Sequence, residues 1–250
     1  MNKILTIDQG TTSSRSIIFD INGDIEQVAQ EEYPLIFPND GWVEIDPDIL
    51  YESVIKTLKQ LKLEDVKFGG ITNQRETTII WDKNTLEPIY NAIVWQDRRT
   101  SEYCSEIATD HNQIIVKEKT GLLIDSYFSA TKIRWILDNV DGARAKAEAG
   151  QLCFGTVDTY LMYRLSSGNI FKTDITNASR TMLFNINTLK WDEELLKLFD
   201  IPKTLLPEVL HSDSCFGSLS ELKDITIHAV LGDQQAALFG QGCLEKGQLK

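Results

Sequence analysis

Short apolar runs separated by polar turns fill the first thirty residues of the chain. Residues 4–7 and 16–19 are apolar runs of the length expected for buried strands. An Asn-Gly pair at 22–23 favours a tight hairpin turn, and residues 25–29 then resume an extended pattern. The pattern predicts an antiparallel β-meander at the start of the chain, with a polar first turn over residues 8–15.

Helical spacing of apolar residues predicts three helices further along the chain. Asp46 suits an N-cap and Pro47 the first helical position, and apolar residues then recur along one face over residues 50–61. The same spacing predicts a helix from about Ser129. Asp192 predicts the start of a third helix.

Further apolar runs predict strands between and after these helices. The predicted strands cover residues 68–72, 77–81, 89–95 and 225–231. The last of them leads through Gly232 and Asp233 into a helix, which makes a strand-to-helix turn. Strands mixed with helices place the chain in the α/β or α+β class.

Acidic residues outnumber basic ones, and this balance excludes several classes of protein. Asp and Glu total 37 against 25 Lys and Arg, a formal charge of −12. Nucleic acids and anionic membranes attract basic surfaces, so we expect neither as a partner. No apolar run approaches the roughly 20 residues of a membrane span, and an acid at position 8 comes too early for a secretory signal. We therefore expect a cytoplasmic protein whose four scattered cysteines are reduced.

The polar turn over residues 8–15 carries groups suited to binding phosphate. The candidate residues are Gly10, Thr11, Thr12, Ser13 and Arg15. Gly10 allows the backbone to approach a ligand closely, and the residues after it supply amide and hydroxyl donors. Asp8, at the end of the strand, can hold a magnesium ion through water. The same segment also fits an ordinary polar hairpin turn.

Asp233 stands at a strand-to-helix turn, where a carboxylate can face a cleft. A carboxylate with a pKa of about 4 cannot remove the proton of an alcohol in the ground state. It can accept that proton late in a loose phosphoryl transfer, as a general base does. The alternative role is to cap the helix that begins at Gln234, and the two roles are compatible.

A cation and an anion stand side by side after the predicted strand 68–72. Arg75 and Glu76 offer the donors and acceptors that can hold the hydroxyls of a small polyol. The alternative for this pair is a surface ion pair of little energetic value. Trp95 can cover the C–H side of a polyol with its indole face, although core packing is the ordinary role of such a residue.

Five motifs in this chain resemble, in order and rough spacing, those of the FGGY carbohydrate kinase family. They are DQGTTSSR at 8–15, NQRET at 73–77, WQDRR at 95–99, YFSATKIRWILDN at 127–139 and GDQQAALFGQ at 232–241. The match covers essentially the whole chain and is closest to the members that phosphorylate glycerol. The resemblance implies a ribonuclease-H-like, actin-type ATPase domain, with a mixed β-sheet flanked by helices. It also implies transfer of the ATP γ-phosphate to a primary hydroxyl of glycerol, with ATP and Mg²⁺ bound.

The resemblance further implies a role for each motif residue. Glycerol is expected to bind at Arg75, Glu76, Trp95, Tyr127, Asp233 and Gln234. Among these, Asp233 is expected to be the catalytic general base. The ATP phosphates are expected at Gly10, Thr11, Thr12, Ser13 and Arg15, with magnesium near Asp8.

Members of the family have a second domain that carries most of the adenosine site. We therefore expect residues 1–250 to form the N-terminal domain only, to phosphorylate little alone, and to form homo-oligomers when full length. Two alternatives remain. One is another sugar kinase of the family, such as a pentulose kinase, although the Asn-Gln-Arg-Glu segment at 73–76 favours glycerol. The other is a non-catalytic actin-like binding module.

Overall fold

A mixed sheet of six strands organises the fold in the computed structural model, which describes residues 3–222 and 225–250. The strands are β1 (Lys3–Gln9), β2 (Ser13–Phe19), β3 (Ile25–Glu32), β4 (Glu44–Ile45), β5 (Val66–Asn73), β6 (Ile79–Asp82), β7 (Ala92–Ile93), β8 (Leu152–Gly155), β9 (Lys172–Asp174), β10 (Phe184–Asn185), β11 (Lys190–Trp191), β12 (Glu208–Leu210), β13 (Gly217–Leu219) and β14 (Ile225–Gly232). The α-helices are α1 (Pro47–Lys59), α2 (Ser101–Ile107), α3 (Asp110–Thr120), α4 (Ser129–Asn139), α5 (Ala143–Glu148), α6 (Val157–Leu165), α7 (Ile175–Ala178), α8 (Glu193–Phe199) and α9 (Asp233–Gly240). Short 3-10 helices cover Lys203–Leu205 and Ser220–Leu222. The large sheet has the order β13-β14-β5-β1-β2-β3, and helices pack against it.

The predicted meander is confirmed, because β1, β2 and β3 pair antiparallel in sequence order. Strand β2 begins three residues earlier than its apolar run. Its buried Ser14 explains the difference, since its hydroxyl bonds that of Ser53 on α1 at 2.7 Å, just as Ser16 bonds Thr57 at 2.7 Å within the predicted run. Polar residues that pair across a helix–sheet contact continue a strand that apolar spacing alone does not predict.

Strands β1, β5 and β14 run parallel and end at one edge of the sheet. Residue Asp8 of β1 pairs with Thr72 of β5, which pairs in turn with Leu231 of β14. Because the three strands are in register, the residues that follow their carboxyl ends lie together. Crevices at such strand ends are the usual ligand sites of open α/β sheets.

The three predicted helices are confirmed as α1, α4 and α8. The carboxylate of Asp46 accepts the amide of Asp48 at 2.9 Å, and Pro47 occupies the first position of α1. Helix α4 begins at Ser129, as its spacing predicts, and the side chain of Asp192 caps α8. No helix within residues 3–222 and 225–250 is both long and apolar enough to cross a bilayer.

The predicted strand at 89–95 is wrong in its extent, since regular pairing is confined to β7. The segment changes partners along its length: the amide of Ile89 donates to Ile80, whereas that of Val94 donates to Val43. Each partner therefore holds only one or two residues. An apolar run cannot reveal such a change, because both partners lie far away in sequence.

Strands β6 and β8 pair antiparallel as a two-stranded ribbon, and two hydrophobic cores lie on opposite sides of it. Trp81 and Cys153 belong to the core beneath the large sheet, whereas Ile80 and Phe154 belong to the core among α3, α4, α5 and α8. Successive residues of a strand point to opposite faces. The ribbon therefore joins the two cores, and the helices of the second core become part of the same folded unit as the sheet.

A carboxyl group is completely buried at the start of α6. The hydroxyls of Thr156 and Thr173 lie 2.5 and 2.7 Å from the two oxygens of Asp158. Burial, reinforced by the charge of Asp174, raises the pKa of Asp158 to about 7. The folded protein therefore holds this proton to a higher pH than the unfolded chain does.

Ionisation of Asp158 is expected to lower the stability of the fold as the pH rises. Its contribution to the free energy of unfolding is complete below about pH 4, the pKa of an unfolded aspartate, and is lost as the pH rises through about 7. Asp158→Asn does not titrate and is expected to remove about 2 kcal/mol of the pH dependence between about pH 5 and 7. Urea unfolding of both proteins at the two pH values measures this. If the free energy of unfolding changes between the two pH values by the same amount in Asp158→Asn as in the original protein, the raised pKa is contradicted.

Candidate active site

Acidic and basic side chains from three strand ends lie together at one edge of the sheet, in a region that we call the cleft. Asp8 lies near the end of β1, Arg75 and Glu76 follow β5, and Asp233 follows β14. The Nε atom of Arg75 lies 3.3 Å from Oδ1 of Asp233. Burial raises the pKa of Asp8, Arg15 opposes this, and the charge of Asp233 adds to it. Two carboxylates distant in sequence thus share one electrostatic environment.

Arg75 is held against the backbone of the strand-to-helix turn. A Cβ atom at position 232 would overlap the aliphatic part of Arg75, so glycine is required there for close approach. Nη1 of Arg75 lies 3.4 Å from Oε1 of Gln235. The buried Nε–H has no aligned acceptor within the described part of the chain, because the nearby Asp233 oxygen lies off its direction. A buried donor of this kind is suited to a ligand oxygen.

Glu76 occupies a strained turn directly after β5. Its φ of +61° lies in the left-handed region, which residues other than glycine seldom adopt. The amide of Thr77 donates to the carbonyl of Arg75 at 2.7 Å across this turn. Burial raises the pKa of the Glu76 carboxyl, against the opposing hydrogen bond and charge of Arg180. Strained backbone around a buried carboxylate is characteristic of functional sites.

Sequence reasoning missed Arg180, whose Nε lies 2.6 Å from Oε1 of Glu76. Arg180 follows α7, a four-residue helix capped by the carboxylate of Asp174. The buried amides of Asn177 and Asn73 exchange hydrogen bonds at 2.9 and 3.2 Å, which fixes α7 against β5. In the sequence near Arg180, the helix-capping Asp174 predicts the start of α7. It does not indicate which way the side chain of Arg180 points.

The carbonyl of Gly10 points into the protein beneath the turn between β1 and β2. It accepts hydrogen bonds from the side chains of Gln9 at 2.6 Å, Gln74 at 3.0 Å and the hydroxyl of Tyr33. The amide of Gln74 also donates to the carbonyl of Gln9 at 2.8 Å. The phosphate-facing turn and the Arg75–Glu76 turn are therefore tied to one buried network.

The tip of the same turn faces outward. Thr12 is exposed, and Thr11 and Ser13 are half-buried beside it. Within residues 3–222 and 225–250, the amide N–H groups of Thr11 and Thr12 meet no acceptor. Arg15 lies 3.8 Å from Asp8. The turn thus offers open donors next to a cation, the combination that the phosphate prediction requires.

Trp95 and Tyr127 form an aromatic wall between the two turns. The indole Nε1 of Trp95 donates to Oγ1 of Thr11 at 3.0 Å, and the two rings are 5.6 Å apart between centroids. Trp95 is half-buried and also packs on the first core. Part of the Trp95 ring is therefore used in core packing, while its N–H contacts Thr11 and its ring lies beside Tyr127.

A buried ion cluster anchors the segment that carries Trp95. The fully buried guanidinium of Arg99 lies 2.7 Å from Glu44 and 2.8 Å from Asp97, and its Cζ stacks 3.9 Å from the ring of Trp42. Removing one member of such a cluster leaves an unpaired buried charge, which is strongly destabilising. The cluster thus anchors the segment from Trp95 to Arg99.

The side chain of Gln234 forms no hydrogen bond with the other predicted site residues in the described part of the chain. Its side chain is exposed, and its Oε1 accepts a hydrogen bond from Lys250 at 2.6 Å. Its neighbour Gln235 faces Arg75 instead. Helix α9 begins at Asp233 itself, with Gly232 at the N-cap position and no side-chain cap hydrogen bond. The predicted role of Asp233 as the cap of a helix that begins at Gln234 is therefore wrong, although its Oδ1 accepts the adjacent amide of Gln234 at 2.7 Å.

The donor set at the strand ends suits a weakly held magnesium ion. No group of three or more His, Cys, Asp or Glu side chains in the described residues could enclose a metal. Magnesium keeps several waters and is often held by one or two carboxylates. Asp8 is such a carboxylate, and burial destabilises its charge. The buried hydroxyl of Thr72, its neighbour across the strands, lacks a partner among the residues described.

The mixed sheet and the cleft at its strand ends define the chain as a ribonuclease-H-like, actin-type ATPase domain. A family model described as the N-terminal domain of the FGGY family of carbohydrate kinases matches residues 3–240. The chain therefore belongs to the FGGY family of carbohydrate kinases.

Similar proteins of known name agree with this assignment. The chain is 56% identical to a glycerol kinase of Alteromonas mediterranea over 99% of its own length, and 51% identical to one of Borreliella afzelii over 100%. A crystal structure of Plasmodium falciparum glycerol kinase with ADP matches with a TM-score of 0.94 at 38% identity, covering 99% of this chain and 51% of that one. Xylulose kinase of Rhodospirillum rubrum, at 18% identity and a TM-score of 0.88, shares the fold. The chain spans about half the length of these relatives, 52% of each of the two bacterial glycerol kinases.

The hydrogen-bonded side-chain amides of Asn73 and Asn177 are expected to stabilise the packing of α7 against β5. Asn177→Ala leaves a buried amide oxygen of Asn73 without its donor and is expected to lower the free energy of unfolding by about 2–3 kcal/mol. Asn139→Ala, at an exposed asparagine, is the control and is expected to stay within about 0.5 kcal/mol of the original protein. Urea unfolding measures the free energy of unfolding of both variants. If Asn177→Ala lowers it no more than Asn139→Ala does, a structural role for the pair is contradicted.

Proposed function

We propose that this chain is the glycerol-binding, phosphate-facing domain of an enzyme that transfers the γ-phosphate of ATP to glycerol, giving sn-glycerol 3-phosphate. One observation carries the proposal: two carboxylates from separate strand ends, each close to a guanidinium, line a cleft beside a turn with open amide donors. Glycerol kinases 51–56% identical to this chain support the choice of substrate.

The polyol is held by opposite charges at fixed points. The buried Nε–H of Arg75 can donate to one hydroxyl oxygen, and the carboxylate of Glu76 can accept a hydrogen bond from another hydroxyl. Trp95 and Tyr127 cover the carbon side of the molecule. Gln234 remains a candidate contact for a hydroxyl, from its exposed position at the start of α9.

Asp233 supplies the general base. Its half-exposed carboxylate beside Arg75 accepts the proton of the attacking hydroxyl as the bond to phosphorus forms. In a loose transition state the hydroxyl proton becomes acidic only late, and a carboxylate can accept it at that stage. Positioning of the hydroxyl, more than base strength, then determines the rate.

The turn between β1 and β2 receives the phosphates. Membership in a kinase family implies ATP as the phosphoryl donor. Open amides of Thr11 and Thr12, the hydroxyl of Ser13 and the cation of Arg15 suit phosphate oxygens, and Gly10 leaves the backbone accessible. Asp8 would hold magnesium through water; a bound magnesium ion offsets negative charge on the phosphates.

Asp233→Asn in the full-length protein tests the base. Turnover with ATP and glycerol is expected to fall at least about 100-fold, because the amide cannot accept the proton. Asp110→Asn is a matched control, since Asp110 is an exposed acid at the first position of α3, the position that the half-exposed Asp233 holds in α9. A steady-state assay with glycerol and a ketopentose also chooses among the alternatives. Turnover with the ketopentose alone selects another sugar kinase, and no effect of Asp233→Asn on function selects a binding module.

A second domain, which the resemblance to the family implies, is expected to be needed to clamp ATP. Residues 1–250 alone should bind glycerol weakly and transfer phosphate at roughly a thousandth of the full-length rate or less, because the reactants are not held together with water excluded. Calorimetry with glycerol and a coupled assay of the isolated chain test this. Robust turnover by residues 1–250 alone would refute it.

A further inference from the structure

We propose that Arg180 is a positioning residue of the polyol site, which acts through Glu76 by occupying one carboxylate oxygen and leaving the other to a substrate hydroxyl. The inference rests on the function proposed above and deepens it. Nε of Arg180 lies 2.6 Å from Oε1 of Glu76, whereas no hydrogen bond to Oε2 occurs among the described residues. A single-oxygen contact therefore orients the carboxylate and leaves an acceptor site open.

The guanidinium lies on an aromatic surface in the cleft wall. Its Cζ is 4.8 Å from the ring centre of Phe128 and 5.7 Å from that of Tyr127, the residue predicted to contact glycerol. The Arg180 side chain is 24% exposed and that of Glu76 only 2%. Arg180 is therefore partly open to solvent, while the carboxylate that it contacts is almost fully enclosed.

The backbones of the two partners are fastened to the same end of α4. The hydroxyl of Ser129 donates to the carbonyl of Glu76 at 3.1 Å, and the amide of Ala130 donates to the carbonyl of Thr181 at 2.9 Å. Thr181 directly follows Arg180. This shared attachment holds the ion pair at a fixed separation, as a site that must present one oxygen in one direction requires.

Three other charged or titratable groups face Glu76, and none replaces Arg180. Arg75 is beside Asp233, and the Tyr127 hydroxyl is neutral near pH 7, since burial raises its pKa further. Lys132 is completely buried, its amine bonds the carbonyls of Tyr127 and Phe128, and burial lowers its pKa to about 7. Arg180 alone, among the described residues, is both permanently charged and hydrogen bonded to Glu76.

The test is the pH dependence of kcat/KM for glycerol in the full-length protein. Arg180→Gln is expected to lower kcat/KM by about 100-fold or more near neutral pH, because a buried carboxylate loses its partner. It should also move the acidic limb of the profile upward by about one to three pH units, since an opposite charge no longer lowers the pKa of Glu76. A merely structural role would scale the profile without moving that limb.

Arg164→Gln is the matched control. Arg164 also lies 2.6 Å from one carboxylate, that of Asp48, and stacks 4.3 Å from Tyr51, but its carboxylate is 55% exposed and belongs to α1. This variant is expected to leave kcat/KM and its acidic limb within about twofold and half a pH unit of the original protein.

A second comparison keeps the inference testable if Arg180→Gln does not fold. Glu76→Gln and the double variant Glu76→Gln/Arg180→Gln carry no unpaired buried carboxylate, and glycerol affinity is measured for both by calorimetry. If Arg180 acts through Glu76, its removal in the Glu76→Gln protein changes the Kd less than about threefold. A loss of about 100-fold there, or an unmoved acidic limb in folded Arg180→Gln, overturns the inference. Absence of glycerol phosphorylation by the unmodified protein would instead overturn the proposed function.

Discussion

The candidate site depends on the parallel alignment of three strands that end in register. Pairing of Asp8 with Thr72, and of Thr72 with Leu231, brings turns separated by more than 150 residues to one edge of the sheet. A shift of one residue in either pairing would turn the strand-end side chains to the opposite face. The buried apolar residues of β5 and β14 oppose such a shift, so the same packing that stabilises the sheet also assembles the cleft.

Charge balance within the cleft follows from this alignment. Two guanidinium groups contact two carboxylates: Arg75 lies beside Asp233 and Arg180 beside Glu76. Each pair joins a residue of the Arg75–Glu76 turn to a different element, α9 or the segment after α7. The elements therefore meet through groups that also face the proposed substrate. Glu76 is almost fully buried, so its charge is costly unless it stays paired with Arg180.

Much of this architecture was predictable from residue patterns. The meander, α1 with its Asp46 cap, the start of α4 and the strand-to-helix turn at Asp233 all depend on local spacing and turn chemistry, and the structure confirms them. The extent of β7 and the early start of β2 were not predictable. Each depends on a partner distant in sequence, Val43 in one case and the hydroxyls of α1 in the other.

The amino-acid sequence by itself determined which chemical groups the site can use. Segments such as residues 8–15 and 73–77 each contain hydrogen-bond donors, acidic side chains and turn-forming residues close together in sequence. Tertiary structure alone decided which groups meet. It paired Glu76 with Arg180, 104 positions away, and turned Gln235 rather than Gln234 toward Arg75. The reason is physical: turn and helix preferences act over a few residues, whereas contacts across a cleft are set by strand register and by the packing of two cores.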